Sequence, residues 1–292
     1  MLLPALRLPM RHATALPRRM VFCCMVLGLS LVLSMVAQAG ETLDRVKRTG
    51  VMVNVVDPSY PPFTFLNEHN QMDGFDIDVA RAVATRIGVK LKVETPSWEI
   101  LTAGHWRGRY DVCICSLTPD AQKAAVLNFV IAYYDSPAVL VTTAQNTAVQ
   151  SIRDLAGRHV GAEQGSSYER YLQKKLVVET RDGQPLRFPF DDLRIAPYTS
   201  EDLAYQDLAL GAGKRIDALV SNANTARMRL KRAPGRFRIV GAPLYLEPNW
   251  IATDRGDPEW DALMVRTFKD LMHDGTLAQL SRKWLDEDVT RH

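Results

Sequence analysis

Gly50-Val51-Met52-Val53-Asn54-Val55-Val56-Asp57-Pro58-Ser59-Tyr60-Pro61-Pro62-Phe63, answered at Gly74-Phe75-Asp76-Ile77-Asp78, is the stretch whose reading decides the fold. Gly50 to Val56 is a short β-branched run and reads as a strand, ended by the Asp57-Pro58 turn signal. Asp76 is placed to cap a helix whose apolar face is Val79, Val83 and Ile87 and which Gly88 stops. Val89-Lys90-Leu91-Lys92-Val93 then alternates as a second strand. A strand, a helix and a strand in succession predict a parallel pair with a helical crossover.

The same alternation continues outward. Tyr110-Asp111-Val112-Cys113-Ile114-Cys115, Leu140-Val141-Thr142, His159-Val160-Gly161-Ala162 and Ile216-Asp217-Ala218-Leu219-Val220 read as buried strands. Ser166 or Ser167 is placed to cap a helix through Tyr168 and Leu172. Asp257-Pro258 opens a helix with proline at its first position and Leu263, Met264, Phe268 and Leu271 inward. Gly275 ends it, and Leu277, Leu280 and Trp284 begin another. Glu179 to Pro197, with Asp182-Gly183, Pro185 and Pro189, reads as a long surface loop. The fold class expected is α/β, and 292 residues suit two domains or lobes.

Composition removes several classes of function. With 24% charged residues and 16 prolines, the chain is neither a coiled coil nor collagen-like nor largely disordered. A mean hydropathy of −0.13 excludes a polytopic membrane protein. Residues 1–39 hold Arg7, Arg11, Arg18 and Arg19 and no acid, then the apolar run Val21 to Val36 and Ala37-Gln38-Ala39. That is the pattern of a cleaved signal peptide, and cleavage is expected after Ala39, leaving Gly40–His292 in the periplasm. An uncleaved anchor from Met20 to Gly40 is the competing reading. Cys23 and Cys24 sit at the beginning of the apolar core, which is the wrong place for a lipoprotein, and the flanks of Arg18-Arg19 fit twin-arginine export poorly.

Without the leader, 32 bases face 33 acids, so no electrostatic case for nucleic acid remains. Of the four cysteines, Cys113 and Cys115 survive cleavage. Two apart on an extended strand they lie about 6.5–7 Å from each other, at the limit of disulfide reach, so they read as small buried side chains, with a redox pair as the other reading. The scattered histidines lack ligand spacing, and neither a metal nor a cofactor is expected.

Residues 57–63 and 74–78, Arg109-Tyr110-Asp111-Val112 with Ser116-Leu117-Thr118, Asp154-Leu155-Ala156-Gly157 with Val160-Gly161, Gln164-Gly165-Ser166, Arg215-Ile216-Asp217-Ala218, Asp274-Gly275-Thr276-Leu277 and Lys283-Trp284 occur in one order. In that order and spacing the chain resembles bacterial extracellular solute-binding proteins of family 3, the periplasmic components of polar amino-acid ABC importers, from Glu41 to Leu285. The resemblance implies a two-lobed type II periplasmic-binding-protein fold with a ligand cleft. Lobe 1 would be 40–135 plus 253–292, lobe 2 142–246, with hinge crossings near 136–141 and 247–252. A ligand touching both lobes would favour the closed state, which a membrane permease would recognise.

The resemblance also implies a set of site residues. Tyr60 and Trp98 match positions that sandwich the ligand's carbon skeleton, although a buried Trp98 could equally be core. Ser116, Leu117 and Thr118 match positions that hold a ligand carboxylate or ammonium through backbone and hydroxyl. Ser166 and Ser167 open a lobe-2 helix and would meet an anion there, the blander reading being helix caps. Asp57 and Asp76 match positions that meet a cationic side chain. Two departures matter. Lys123 stands where the family has an arginine that clamps the ligand carboxylate, and an alternative alignment puts Ala121 there. A point charge then replaces a planar fork. Ser221-Asn222 stands where the family has an acid for the ligand ammonium, and Asn222 can accept a bond without supplying charge. Ligands lacking one of the two charged groups therefore become credible.

A second reading is a periplasmic cyclohexadienyl (arogenate/prephenate) dehydratase, whose family Thr95-Pro96-Ser97-Trp98 somewhat resembles. It would need an acid in the cleft, for which Glu163 and Asp76 are candidates. A third is a non-transport module serving another periplasmic protein. No nucleophile elbow or phosphate loop is present. The acid-free run Arg227, Arg229, Lys231, Arg232, Arg236 and Arg238 reads as a solvated lobe-2 face, with permease docking second. The expected protein is a monomer whose partners are a small polar solute and an ABC importer permease, with no nucleic acid.

Overall fold

The computed structural model describes residues 41–178 and 185–290. The expected leader and its cleavage site lie outside those residues. Element order is α1 (Glu41–Thr49), β1 (Val51–Val55), β2 (Ser59–Tyr60), β3 (Thr64–Leu66), β4 (Met72–Asp73), α2 (Phe75–Arg86), β5 (Lys90–Glu94), α3 (Trp98–Thr102), β6 (Cys113–Leu117), α4 (Ala121–Val126) and β7 (Leu127–Thr143). It continues with β8 (His159–Glu163), α5 (Ser167–Leu172), β9 (Arg194–Tyr198), α6 (Glu201–Leu208), β10 (Ala218–Asn222), α7 (Ala223–Arg232), β11 (Phe237–Asp254), α8 (Pro258–His273) and α9 (Thr276–Leu285).

β1 and β5 pair in parallel around the α2 crossover, as expected from the opening stretch. A parallel bridge from Asn54 to Val112 joins this pair to β6, and the Asn54 amide stands in for a strand partner by accepting from Ile114 N at 2.8 Å. The largest sheet runs β6-β11-β7-β10-β8-β9. Its two long members, β7 and β11, are antiparallel and continuous through both lobes, so one sheet serves two cores.

On the lobe-1 side, Phe63, Phe75, Tyr133, Tyr134, Trp260 and Phe268 pack α2, α8 and α9 together, while Val55, Leu101, Trp106 and Leu117 fill the opposite layer. In lobe 2, Leu140, Val160, Tyr171 and Val220 lie in one layer, with Val141, Tyr205, Leu208 and Leu219 in the other. Core membership changes between Tyr134 and Ala138 on β7, and between Tyr245 and Ile251 on β11. The crossing is therefore a narrow waist where Glu247 faces Ser136 and Asn249 faces Tyr134.

Three local expectations change. Gly74, not Asp76, is the N-cap of α2, with φ 125°. A Cβ on Gly74 would lie 2.3 Å from Phe63 O, so the close approach as well as the dihedral requires glycine. Asp76 is consequently inside the first turn and free to point inward. Part of the expected 179–197 loop is strand β9, on the sheet edge beside β8, where Pro197 removes no needed ladder donor. Finally, Cys113 and Cys115 form a disulfide with Cα atoms 5.2 Å apart. β6 is not fully extended. Leu117 faces Trp250 and Cys113 faces Ala252, so the stretch between carries two extra residues as a bulge, and Ser116 takes φ +57°. That contraction brings the sulfurs within reach.

Candidate functional site

Between the lobes lies a narrow cleft. Its walls come from the carboxyl ends of strands and the turns that follow them, the usual place for a ligand in open α/β sheets. Asp57 and Tyr60 follow β1, Cys115, Ser116 and Thr118 end β6, Glu163 ends β8, and Ser166, Ser167 and Tyr168 open α5. Trp98 starts α3, Lys123 lies in α4, and Glu247 enters from β11 at the waist.

Hydrogen bonds sort these residues by what they have left to offer. Glu247 is 2% exposed. Its Oε2 accepts from Thr118 Oγ1 at 2.9 Å and Ser167 Oγ at 2.5 Å, and its Oε1 from Tyr168 OH at 2.9 Å. Burial raises its pKa, opposed by those three bonds and by the charge of Lys123. The Tyr60 and Tyr168 hydroxyls are 2.7 Å apart. Since Tyr168 donates to Glu247, Tyr60 donates to Tyr168, and the two lobes are tied through this relay.

Asp57 and Glu163 come from opposite lobes and line the same cavity, near enough for the charge of one to act on the other. Burial lifts the pKa of both, that of Glu163 well above the ordinary carboxylate range because Asp57 adds repulsion. Asp57 accepts the turn bond from Ser59 N, 2.7 Å to Oδ1. Among the described residues no N–H or hydroxyl reaches Glu163 Oε1, and the indole Nε1 of Trp98 is likewise without a partner. The Trp98 ring lies 3.8 Å from where a Cβ on Gly165 would stand, so it faces lobe 2.

Lys123 is buried and its ammonium is paired with Asp120, which also caps α4. Burial lowers the lysine's pKa, and the Asp120 charge resists that shift. Ser116 is spent inward. Its hydroxyl donates to Asp76 Oδ2 at 2.6 Å and accepts from Tyr134 OH at 2.6 Å. Asp76 also accepts from Tyr133 OH at 2.7 Å and lies behind the cleft floor rather than on it. Burial lifts Asp76 to about 7, against the pull of its Ser116 and Tyr133 bonds.

Of the residues singled out in the sequence, Asp57, Tyr60, Trp98, Ser116, Thr118, Lys123, Ser166 and Ser167 converge on one cavity. Three do not reach it. Asp76 is behind Ser116, and the Leu117 side chain packs in the lobe-1 core. Asn222 caps α7, accepting from Asn224 N at 2.8 Å, and donates to Ser136 Oγ at 2.7 Å. Asn249 Nδ2 meets the same hydroxyl at 3.0 Å, so Asn222 belongs to a buried polar knot at the waist.

Glu247 and Tyr168 were absent from the sequence-derived set, and Glu163 entered it only as a catalytic acid. One signal was available for Glu247: it is the single acid in the otherwise uncharged crossing segment from Tyr245 to Thr253.

The profile of bacterial extracellular solute-binding proteins, family 3, matches residues 52–287. The chain belongs to this family. Among its relatives is the L-cystine-binding protein TcyJ of Escherichia coli K12, 25% identical over 250 residues, which span 85% of this chain and 88% of the relative. An ancestral arginine-binding protein bound to glutamine superimposes with a TM-score of 0.71 at 26% identity, over 82% of this chain and 99% of that one. An ancestral amino-acid-binding protein described as a precursor of cyclohexadienyl dehydratase reaches a TM-score of 0.71 at 24% identity, over 84% and 100%, a likeness of fold alone. Family membership makes the two-lobed fold that of a type II periplasmic binding protein. Among the described residues no helix is long and apolar enough to cross a membrane, and no group of three or more His, Cys, Asp or Glu could hold a metal ion.

Proposed function

We propose that this family 3 protein is the periplasmic solute-capturing component of an ABC importer. It holds a small polar solute, an amino acid or a derivative of one, between its lobes and presents the closed form to an inner-membrane permease. It acts as a monomer, exported by the segment that precedes the described residues, and uses no cofactor. The observation that carries this reading is a single cavity walled by both lobes and by a crossing strand, with Tyr60 and Tyr168 bonded across it. A solute filling that cavity touches both lobes at once and so binds the closed form better than the open one. The relatives named for cystine and arginine binding support the solute class.

No specific observation favours the dehydratase reading. Prephenate carries two carboxylates, and this cavity would meet them with Asp57, Glu163 and Glu247 against one lysine already paired. Such a substrate is repelled rather than held.

The test is thermal unfolding of protein denatured and refolded to strip carried-over solute. The panel holds the twenty amino acids, their amines and keto acids, cystine, arogenate and prephenate. The expected result is a midpoint rise of several degrees, ~2–3 kcal/mol at a hundredfold excess over Kd, for one small set of compounds. Turnover of arogenate or prephenate, or no response to the whole panel, overturns it.

A further inference from the structure

The cleft has an unusual donor and acceptor balance, and that balance defines the charge of its ligand. The resemblance implies that Thr118, Ser167 and the cation at position 123 hold the carboxylate of an amino acid. Here both hydroxyls converge on Glu247 Oε2, at 2.9 and 2.5 Å. The Lys123 ammonium is paired with Asp120 and adds its charge to the field at Glu247. A protein carboxylate therefore stands where a ligand carboxylate would be received. Its donors are committed, and a second carboxylate brought beside it would meet like charge in a buried site. The remaining requirement runs the other way. Glu163 is 7% exposed, lines the cavity, and receives no donor at Oε1, while Asp57 faces it from the other lobe. Among the described residues lining the cavity, Lys123 is the one cation.

We propose that the cleft takes an organic cation without an α-carboxylate, an amine or guanidine of the decarboxylated kind, whose charged head bridges Asp57 and Glu163 while Glu247 supplies the carboxylate from the protein itself. The N–H groups of such a head fill the vacant acceptor on Glu163 and meet the Asp57 carboxylate beside it. Tyr60, Trp98 and Tyr168 line the same cavity and bring aromatic surface to the hydrocarbon and to the cation. The closed form is then held by an ion bridging the lobes.

The inference rests on the reading of the cleft as a solute-binding site, and matched pairs separate the two. Titration calorimetry on stripped, refolded protein would compare arginine with agmatine, lysine with cadaverine, and histidine with histamine. At least one amine is expected to bind about tenfold or more tightly than its parent amino acid, the equivalent of ~1.4 kcal/mol. An amino acid that binds as tightly as its amine or more so overturns this inference and leaves the importer reading standing. Silence in both columns overturns this inference, and the importer reading then stands or falls on the wider panel. Glu247→Ala vacates the carboxylate position and frees Thr118, Ser167 and Tyr168. In that variant the preference should reverse, the amino acid gaining about tenfold on its amine. An unchanged preference in a folded E247A also sinks the proposal. Should E247A fail to fold, Glu247→Gln keeps the side-chain volume without the charge and must shift the ratio the same way.

Discussion

Asn222 shows how one side chain can be legible as polar and buried yet carry a role that only the fold reveals. Its carbonyl oxygen caps α7 and its amide nitrogen reaches Ser136 at the waist, away from the cavity lining. Asn222→Ala should therefore cost about 1–2 kcal/mol of stability, seen as a lower urea midpoint at unchanged slope. Asn222→Asp keeps the cap, and solute affinity in it should stay within about threefold of the wild type by calorimetry. A tenfold gain with a cationic solute would instead put position 222 in contact with the ligand. Gly74 makes a harder demand. With φ 125° and Phe63 O 2.3 Å from any added Cβ, Gly74→Ala must move the turn that carries Tyr60 and the first turn of α2. A loss of at least ~2 kcal/mol is expected by denaturant titration. The sequence marks both residues by type, but the partners that decide their roles lie far along the chain: Ser136 is 86 residues from Asn222, and Thr118 is 129 from Glu247.

Elements were more legible than sites, because periodicity is local and hydrogen-bond partnership is not. The β1–α2–β5 unit follows from apolar spacing although its cap does not, and the closing helix α8 from spacing and cap together, with Asp257 accepting from Trp260 N at 2.9 Å as its position before Pro258 implies. The departures arise where an element is irregular. β6 reads as an extended strand, but its bulge shortens the Cys113–Cys115 separation to 5.2 Å and turns Ser116 into φ +57°. Protein purified from the periplasm without reductant should show no thiol reactive toward Ellman's reagent after denaturation, and two once reductant is added. Two reactive thiols at the outset would contradict the disulfide. The basic run through α7 is partly paired rather than wholly free. Arg229 pairs with Asp202 and lies 4.8 Å over the Tyr205 ring, and Arg238 donates to the Asn146 and Val149 carbonyls. Arg227 pairs with Glu287 and Lys231 with Asp286, so α7 of lobe 2 is tied to the segment after α9 of lobe 1. These exposed pairs contribute no more than ~1 kcal/mol each, yet they bind lobe to lobe and so act on closure. Reversing Arg227 and Lys231 to glutamate should weaken solute binding a few-fold at low salt, and the effect should shrink at 0.5 M salt as the charges are screened. An effect that persists at high salt would rule out this electrostatic account.

At the scale of the whole molecule, buried acids outnumber the cations available to them. Asp57, Asp76, Glu163, Glu201 and Glu247 all have pKa values raised chiefly by burial, Asp76 and Glu201 to about 7. A carboxyl whose folded pKa lies above its unfolded value holds, in the fold, a proton that the unfolded chain has released. Its contribution is complete at or below the unfolded value near 4 and is lost as pH rises through the folded value. For Asp76, the rise from 3.8 to about 7 bounds that loss at ~4 kcal/mol. The solute-free protein should therefore melt several degrees higher at pH 5 than at pH 8. The double substitution Asp76→Asn and Glu201→Gln should flatten that slope. A cationic solute acts on the same balance from outside. Burial, with Asp57, Glu201 and Asp202 adding negative charge around it, keeps a proton on Glu163, and a bound ammonium or guanidinium displaces that proton. Affinity should then rise between pH 5 and pH 8, and calorimetry in buffers of different ionisation enthalpy should report release of up to about one proton per solute bound. Glu163→Gln removes the proton that is exchanged, so in that variant the release should vanish while binding weakens. Proton uptake on binding, or affinity that falls as pH rises over this range, would mean that the solute meets these carboxyls in their neutral form and that no cation bridges the lobes.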